Sequence, residues 1–160
     1  MENPTTGSTL SSPSTNAPRS LLHVYTLVTE SHRERMYERR MVASMKQFSE
    51  RGFEVWHFAG QQHCPTGTFD TPGFRETMAD KLKGVIAVHN ILSGRGVPYF
   101  VYSDCDVQFF GDFSGPIVEE LESSGKDILF QHDGNGEFCA GFFISKVNER
   151  TLGLFRHALK

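Results

Sequence analysis

Asp104 and Asp106 stand one residue apart at the end of the apolar run VPYFVYS (97–103), with Cys105 between them and VQFF behind them. Charged side chains seldom follow so closely on such a run unless something compensates them. In an extended chain residues i and i+2 project to one side, so both carboxylates are expected to aim at one point while Cys105 faces away or offers its backbone. Two anions so close repel. A hard divalent cation, Mg²⁺ or Mn²⁺, removes that repulsion and prefers oxygen ligands. Such an ion keeps positions open for diphosphate oxygens and offsets charge on a phosphate leaving group. The pattern predicts a metal clamp for a phosphate ester, with Asp104 and Asp106 as ligands; the plainer alternative is a turn in which each aspartate caps a backbone N–H.

The flanking segments must position the pair. LLHVYTLVT (21–29) is apolar and β-branched and is expected to be a buried strand. A helix is expected near 33–50, with Tyr37, Met41, Met45 and Phe48 on its apolar face and Gly52 as its stop. FEVWHFAG (53–60) reads as a second strand, and QQHCPTGTFDTPG (61–73) as a loop long enough to serve as a lid. A helix at 74–93 carries Phe74, Met78, Leu82, Val85, His89 and Leu92 on one face. VPYFVYS is unbroken in its apolar character and so central, with Pro98 tolerated only near its start. A short helix with Pro116 in its first turn precedes the strand KDILFQHD (126–133). After DGNGEFCAG come FFISKV (142–147) and a last helix capped by Asn148 and carrying Leu152, Phe155 and Leu159. This alternation predicts an α/β fold, a mainly parallel sheet with helices on both faces, whose ligands bind beyond the carboxyl ends of the strands. Asp104 and Asp106 fall at such an end.

The length suits one domain with a real core, expected over 20–160, behind a disordered Ser/Thr/Pro-rich tail over 1–19. A net charge of −3 is too mild for a nucleic-acid partner, and the basic stretch RERMYERR reads as the solvated face of a helix. Three cysteines without CxxC or Cys/His zinc spacing argue for a reducing, cytoplasmic setting. No stretch approaches the roughly 20 apolar residues of a membrane span, and the N-terminus lacks a signal-peptide layout. His57, His63, His89 and His157 show no zinc spacing, and His89 is expected to pack.

The blocks KLKGVIAVHNILSGRGVPYFVYSDCDVQFF, DILFQHD and FCAGFFIS, in that order, resemble nucleotide-diphospho-sugar transferases, glycosyltransferases of the GT-A (Rossmann-like) fold with a DxD motif. The resemblance runs from about Leu22 to the C-terminus. It implies a nucleotide-diphospho-sugar donor, Mn²⁺ or Mg²⁺, and an acceptor that is a glycan, a protein or a small molecule. It puts the nucleotide base beside Thr26, Val28 and Thr29, and the rest of the donor beside Lys81, Ser103, Asp104 and Cys105. Asp104 would contact ribose or sugar and Asp106 would be the principal metal ligand. Gln131, His132 and Asp133 would meet sugar hydroxyls, with Asp133 as the candidate catalytic carboxylate. An inverting enzyme needs such a base, whereas a retaining one can pass the proton to the leaving phosphate. Cys139, Ala140 and Gly141, with Glu137 and Phe138, would wall the acceptor side. The family commonly places a third metal ligand well downstream of the AGFF-like block. Only NERTLGLFRHALK follows here, so the fold is expected to be C-terminally short, and His157 lies embedded in the last helix.

Two other functions fit the same residues. One is a nucleotide-sugar-binding or interaction module without turnover, a truncated or remnant GT-A domain. The other is a haloacid-dehalogenase-type phosphatase, in which the first aspartate of DxD is the nucleophile. That class expects its DxD strand early in the chain, and here it comes late.

Overall fold

A computed structural model describes residues 21–47, 53–66, 68, 71–111, 113–134 and 136–160. The tail over 1–19, Phe48 and Gly52 lie outside the described residues. Five strands, β1 (Leu22–Val28), β2 (Phe53–Ala59), β3 (Tyr99–Ser103), β4 (Ile128–His132) and β5 (Phe138–Lys146), alternate with α1 (Ala43–Gln47), α2 (Phe74–Gly94), α3 (Ser114–Ser123) and α4 (Glu149–Ala158). Before α1 the chain makes a 3-10 turn (Glu30–His32) and a helical stretch of π type (Arg33–Val42). The charged side chains of RERMYERR are exposed there apart from the half-buried Arg33, as expected of a solvated face.

The sheet is open and mixed, in the order β2-β1-β3-β5-β4. β1 pairs in parallel with β2 and β3, while β5 is antiparallel to both β3 and β4. The expectation of a mainly parallel sheet is thus corrected at β5. The short link after β4 cannot make the crossover a parallel neighbour requires, so β5 folds back between β3 and β4.

Period-two alternation sorts the core into two layers. Leu22, Val24 and Val28 of β1, Val101 of β3 and Ile144 of β5 face one side with Met41, Met45 and Leu121. Tyr25, Phe100, Tyr102 and Phe143 face the other with Val85, Val88 and Leu92 of α2 and Phe155 of α4. Helices therefore cover both faces. α4 begins as its sequence predicts: Asn148 accepts from the Thr151 N–H, and Thr151 returns a bond to the Asn148 backbone. His89 packs, as expected. It is 1 % exposed, lies edge-on to Phe100, and its Nε2 is 3.1 Å from Thr151 Oγ1, joining α2 to α4.

α2 comes unusually close to β1. A Cβ added at Gly84 would lie 1.7 Å from the Tyr25 hydroxyl oxygen and 2.6 Å from its ring. Gly84→Ala is therefore expected to cost about 3 kcal/mol in urea unfolding; a loss below about 1 kcal/mol would mean that α2 can retreat. Burial lowers the His89 pKa, with smaller opposing effects from its backbone surroundings and Glu149. The unfolded chain then takes up a proton that the folded chain refuses, so stability should fall as pH drops below about 6.5. His89→Gln should flatten part of that slope in unfolding curves taken between pH 7.5 and 5.

Candidate functional site

β1 lies where the connections diverge. The helical stretch after it packs on one face of the sheet, and α2, after β2, packs on the other. At such a switch point a crevice opens beyond the carboxyl ends of the strands. A cleft of about 640 Å³ occupies it, between the ends of β1 and β3, the start of β5 and the first half of α2. Because β5 is reversed, it delivers its first residues, not its last, to this edge.

Asp104 and Asp106 both line the cleft. They reach it differently from the extended-chain expectation: β3 ends at Ser103, and the Val107 N–H donates to the Asp104 carbonyl at 3.2 Å, closing a turn. The turn, not strand alternation, carries both residues to the cleft. Asp106 is exposed and Asp104 half-buried, while Cys105 packs into the core. Burial, reinforced by Asp106 and then Asp104, pushes the Cys105 thiol up to about 12, so it is no nucleophile at neutral pH.

Lys81 is 6 % exposed, and its ammonium donates to Asp104 Oδ1 at 3.1 Å and to the Ala140 carbonyl at 2.7 Å. It also lies over the Tyr102 ring, 4.1 Å from the centroid. The Tyr102 hydroxyl donates to the same Asp104 oxygen at 2.5 Å. Burial first, then the Asp104 charge, raise the Tyr102 pKa well above its ordinary value, which keeps that hydroxyl a donor. The Ala140 carbonyl is available because β5 bulges. Its pairing with β4 jumps from Phe130↔Phe143 to Gln131↔Cys139, leaving Ala140, Gly141 and Phe142 between two consecutive pairs. Opposite, the Asp104 N–H donates to the Gly141 carbonyl at 2.7 Å. A Cβ at Gly141 would lie 2.7 Å from Asp104 Oδ2, so the glycine leaves room for the carboxylate.

Of the other residues singled out by sequence, Thr29, Asp133, Cys139, Ala140 and Gly141 line the cleft. Thr26, Val28 and Ser103 do not; each is fully buried in its strand, and the Val28 carbonyl accepts from the Gly60 N–H at 3.0 Å. Gln131 and His132 are exposed on the edge strand β4, outside the cleft. His157 is exposed on α4. Among the lining residues given no site role by the sequence are His32, Cys64, Thr77 and Tyr102. Tyr102 carried a signal, since it sits two residues before Asp104 in an alternating strand. His32 became visible only through the turn after β1, where its Nδ1 lies 2.8 Å from Ser31 Oγ and 3.2 Å from Thr29 Oγ1.

The donor set fits a cation that is only partly held by protein. Asp104 Oδ1 is engaged by Lys81 and Tyr102, so Asp106 and the second Asp104 oxygen are the atoms that would hold a cation here. Mg²⁺ commonly takes one or two carboxylates and fills the remaining positions with water and phosphate oxygens. Among the described residues no three His, Cys, Asp or Glu side chains gather as a complete protein cage.

The ion pair is asymmetric: the Lys81 side chain is 7 % exposed and that of Asp104 43 %. Asp104→Ala strands a buried ammonium and should cost about 3 kcal/mol. Lys81→Met leaves a carboxylate that water can reach and should cost about 1 kcal/mol. Thermal denaturation of the two variants checks the order; equal or reversed losses would mean that the pair is not what holds Asp104. No protein-family model matches this chain, and no curated protein sequence matches it either.

Proposed function

We propose that this chain is a GT-A-like glycosyltransferase that moves a sugar from a nucleotide-diphosphate donor to an acceptor, with Mn²⁺ or Mg²⁺ at Asp104 and Asp106. The observation that carries this reading is the coincidence of two carboxylates on one turn, a buried ammonium braced against one of them, and a cleft at the switch point of an α/β sheet. A bound divalent ion supplies charge neutralisation to a diphosphate leaving group. The protein supplies position. Asp106 is exposed and addresses the ion. Lys81 and Tyr102 fix Asp104, so this carboxylate need not reorganise when ligand arrives. Thr29 and His32 border the nucleoside side. In transfer, the bond between the sugar's anomeric carbon and the phosphate oxygen breaks, and the nucleoside diphosphate leaves with the electron pair. The acceptor oxygen bonds to the same carbon, and its proton passes to Asp133 if the reaction inverts, or to the leaving phosphate if it retains.

A second reading is a nucleotide-sugar-binding module without turnover. It is favoured by the engagement of Asp104 Oδ1 with Lys81 and Tyr102, which leaves the cation few protein ligands.

A nucleotide sugar present at a hundred times its Kd should stabilise the protein by about 2.7 kcal/mol. In a thermal-shift screen that stabilisation should require Mn²⁺ and vanish in Asp106→Ala. Equal stabilisation of the variant overturns the role of Asp106. Hydrolysis of the stabilising nucleotide sugar on Mn²⁺ titration supports the enzyme; binding with no hydrolysis or transfer supports the module.

A further inference from the structure

Phe138 is 76 % exposed although it lines the cleft. An aromatic ring costs free energy when left in water, and most phenylalanines among the described residues are buried or half-buried. Phe138 opens β5 and pairs with His132. The Phe130 ring lies 6.0 Å away at a 47° tilt and is its one ring contact among the described residues. The bulge that frees Ala140 and Gly141 follows two residues later, so Phe138 is held by regular pairing while the cleft wall beside it is open.

Asp133, which also lines the cleft, is tied to the same turn: its N–H donates to the Glu137 carbonyl at 3.3 Å, directly before Phe138. An exposed aromatic residue and an exposed acidic one thus line the same cleft, linked by this backbone bond. That pairing has a definite chemical complement. A pyranose has an apolar face of C–H groups, slightly positive, which meets the negative face of an aromatic ring. Its hydroxyls point outward around the rim and donate to carboxylates. A nucleobase could stack on the ring and donate its amino hydrogens to the carboxylate, but only a pyranose combines a C–H face with a rim of hydroxyl donors, which a peptide also lacks.

We propose that Phe138 and Asp133 form a pyranose-binding platform, and that the acceptor is a carbohydrate rather than a protein or a lipid. Naming the platform as the acceptor subsite rests on the glycosyltransferase reading; binding of a pyranose does not. The placement agrees with it. Thr29 and His32 follow β1, and β5 is two strands away across β3, about 10 Å. Nucleoside and platform would flank the Asp104–Asp106 turn from opposite sides, leaving the sugar between them.

Saturation-transfer NMR with a panel of methyl α- and β-pyranosides of glucose, galactose, mannose and xylose, without nucleotide or metal, tests the platform directly. Ring C–H protons of at least one pyranoside should receive saturation from the wild-type protein. Transfer should fall at least fivefold in Phe138→Ala and in Asp133→Asn. It should persist in Phe110→Ala, which removes another exposed phenylalanine, one that does not line the cleft. No saturation of any pyranoside, or equal saturation in Phe138→Ala, overturns the proposal. Circular dichroism melting of Phe138→Ala within about 2 °C of wild type separates a lost platform from a lost fold. The outcomes remain distinct from those of the nucleotide screen. Pyranoside binding without Mn²⁺-dependent nucleotide-sugar binding keeps the platform and removes the transferase; the reverse keeps the donor site and removes the platform.

Discussion

The cleft is organised around the placement of one negative charge. Asp104 sits where a strand ends among apolar residues, and Lys81 meets it from a helix that begins thirty residues earlier in the chain. Neither group suits its place alone. The ammonium is almost wholly removed from water and needs the carboxylate; the carboxylate, half in solvent, is oriented by the ammonium and by the Tyr102 hydroxyl. A pair of this kind adds little net stability, because desolvation consumes most of the attraction. What it gives is direction, since one carboxylate oxygen is fully engaged and the other is left toward Gly141 and the cleft.

The surrounding architecture serves that pair. A fully parallel sheet would bring strand ends alone to this edge. The reversal of β5 brings a strand beginning instead, with backbone carbonyls still unpaired by β4, and Lys81 uses one of them. The bulge across Ala140–Phe142 and the missing side chain at Gly141 are two aspects of one accommodation: the backbone yields laterally, and the carboxylate fills the space a Cβ would have taken.

Much of this was legible from residue types. The strands other than the first part of β5 (138–141, read as a turn), together with α2, the cap at Asn148 and the packing of His89, follow from apolar periodicity and local hydrogen-bonding chemistry, which depend on near neighbours in sequence. The direction of β5 did not follow. Strand direction depends on the length of the connecting link and on which neighbour remains unpaired, and FFISKV reads alike in either orientation. At the site, the paired aspartates pointed to the sheet edge where the cleft lies. Their placement was attributed to strand alternation, whereas β3 ends at Ser103 and a hydrogen-bonded turn carries both to the cleft. Lys81 was read as facing the pocket, and its engagement with Asp104 depends on the distance between α2 and β3, which no local pattern encodes. Gln131 and His132 looked equivalent to Asp133, but the bulge and the sheet edge part them from it.

Gly84 lies one helical turn from Lys81 on α2, and its contact with the Tyr25 hydroxyl sets how near the helix stands to the sheet. The helix therefore works as a ruler: its depth, fixed in the hydrophobic layer, determines whether the ammonium reaches the carboxylate. A genetic screen for loss of function would then recover substitutions at Gly84 and Tyr25 beside those in the cleft, and rescue by a second change would come from trimming the opposing side chain.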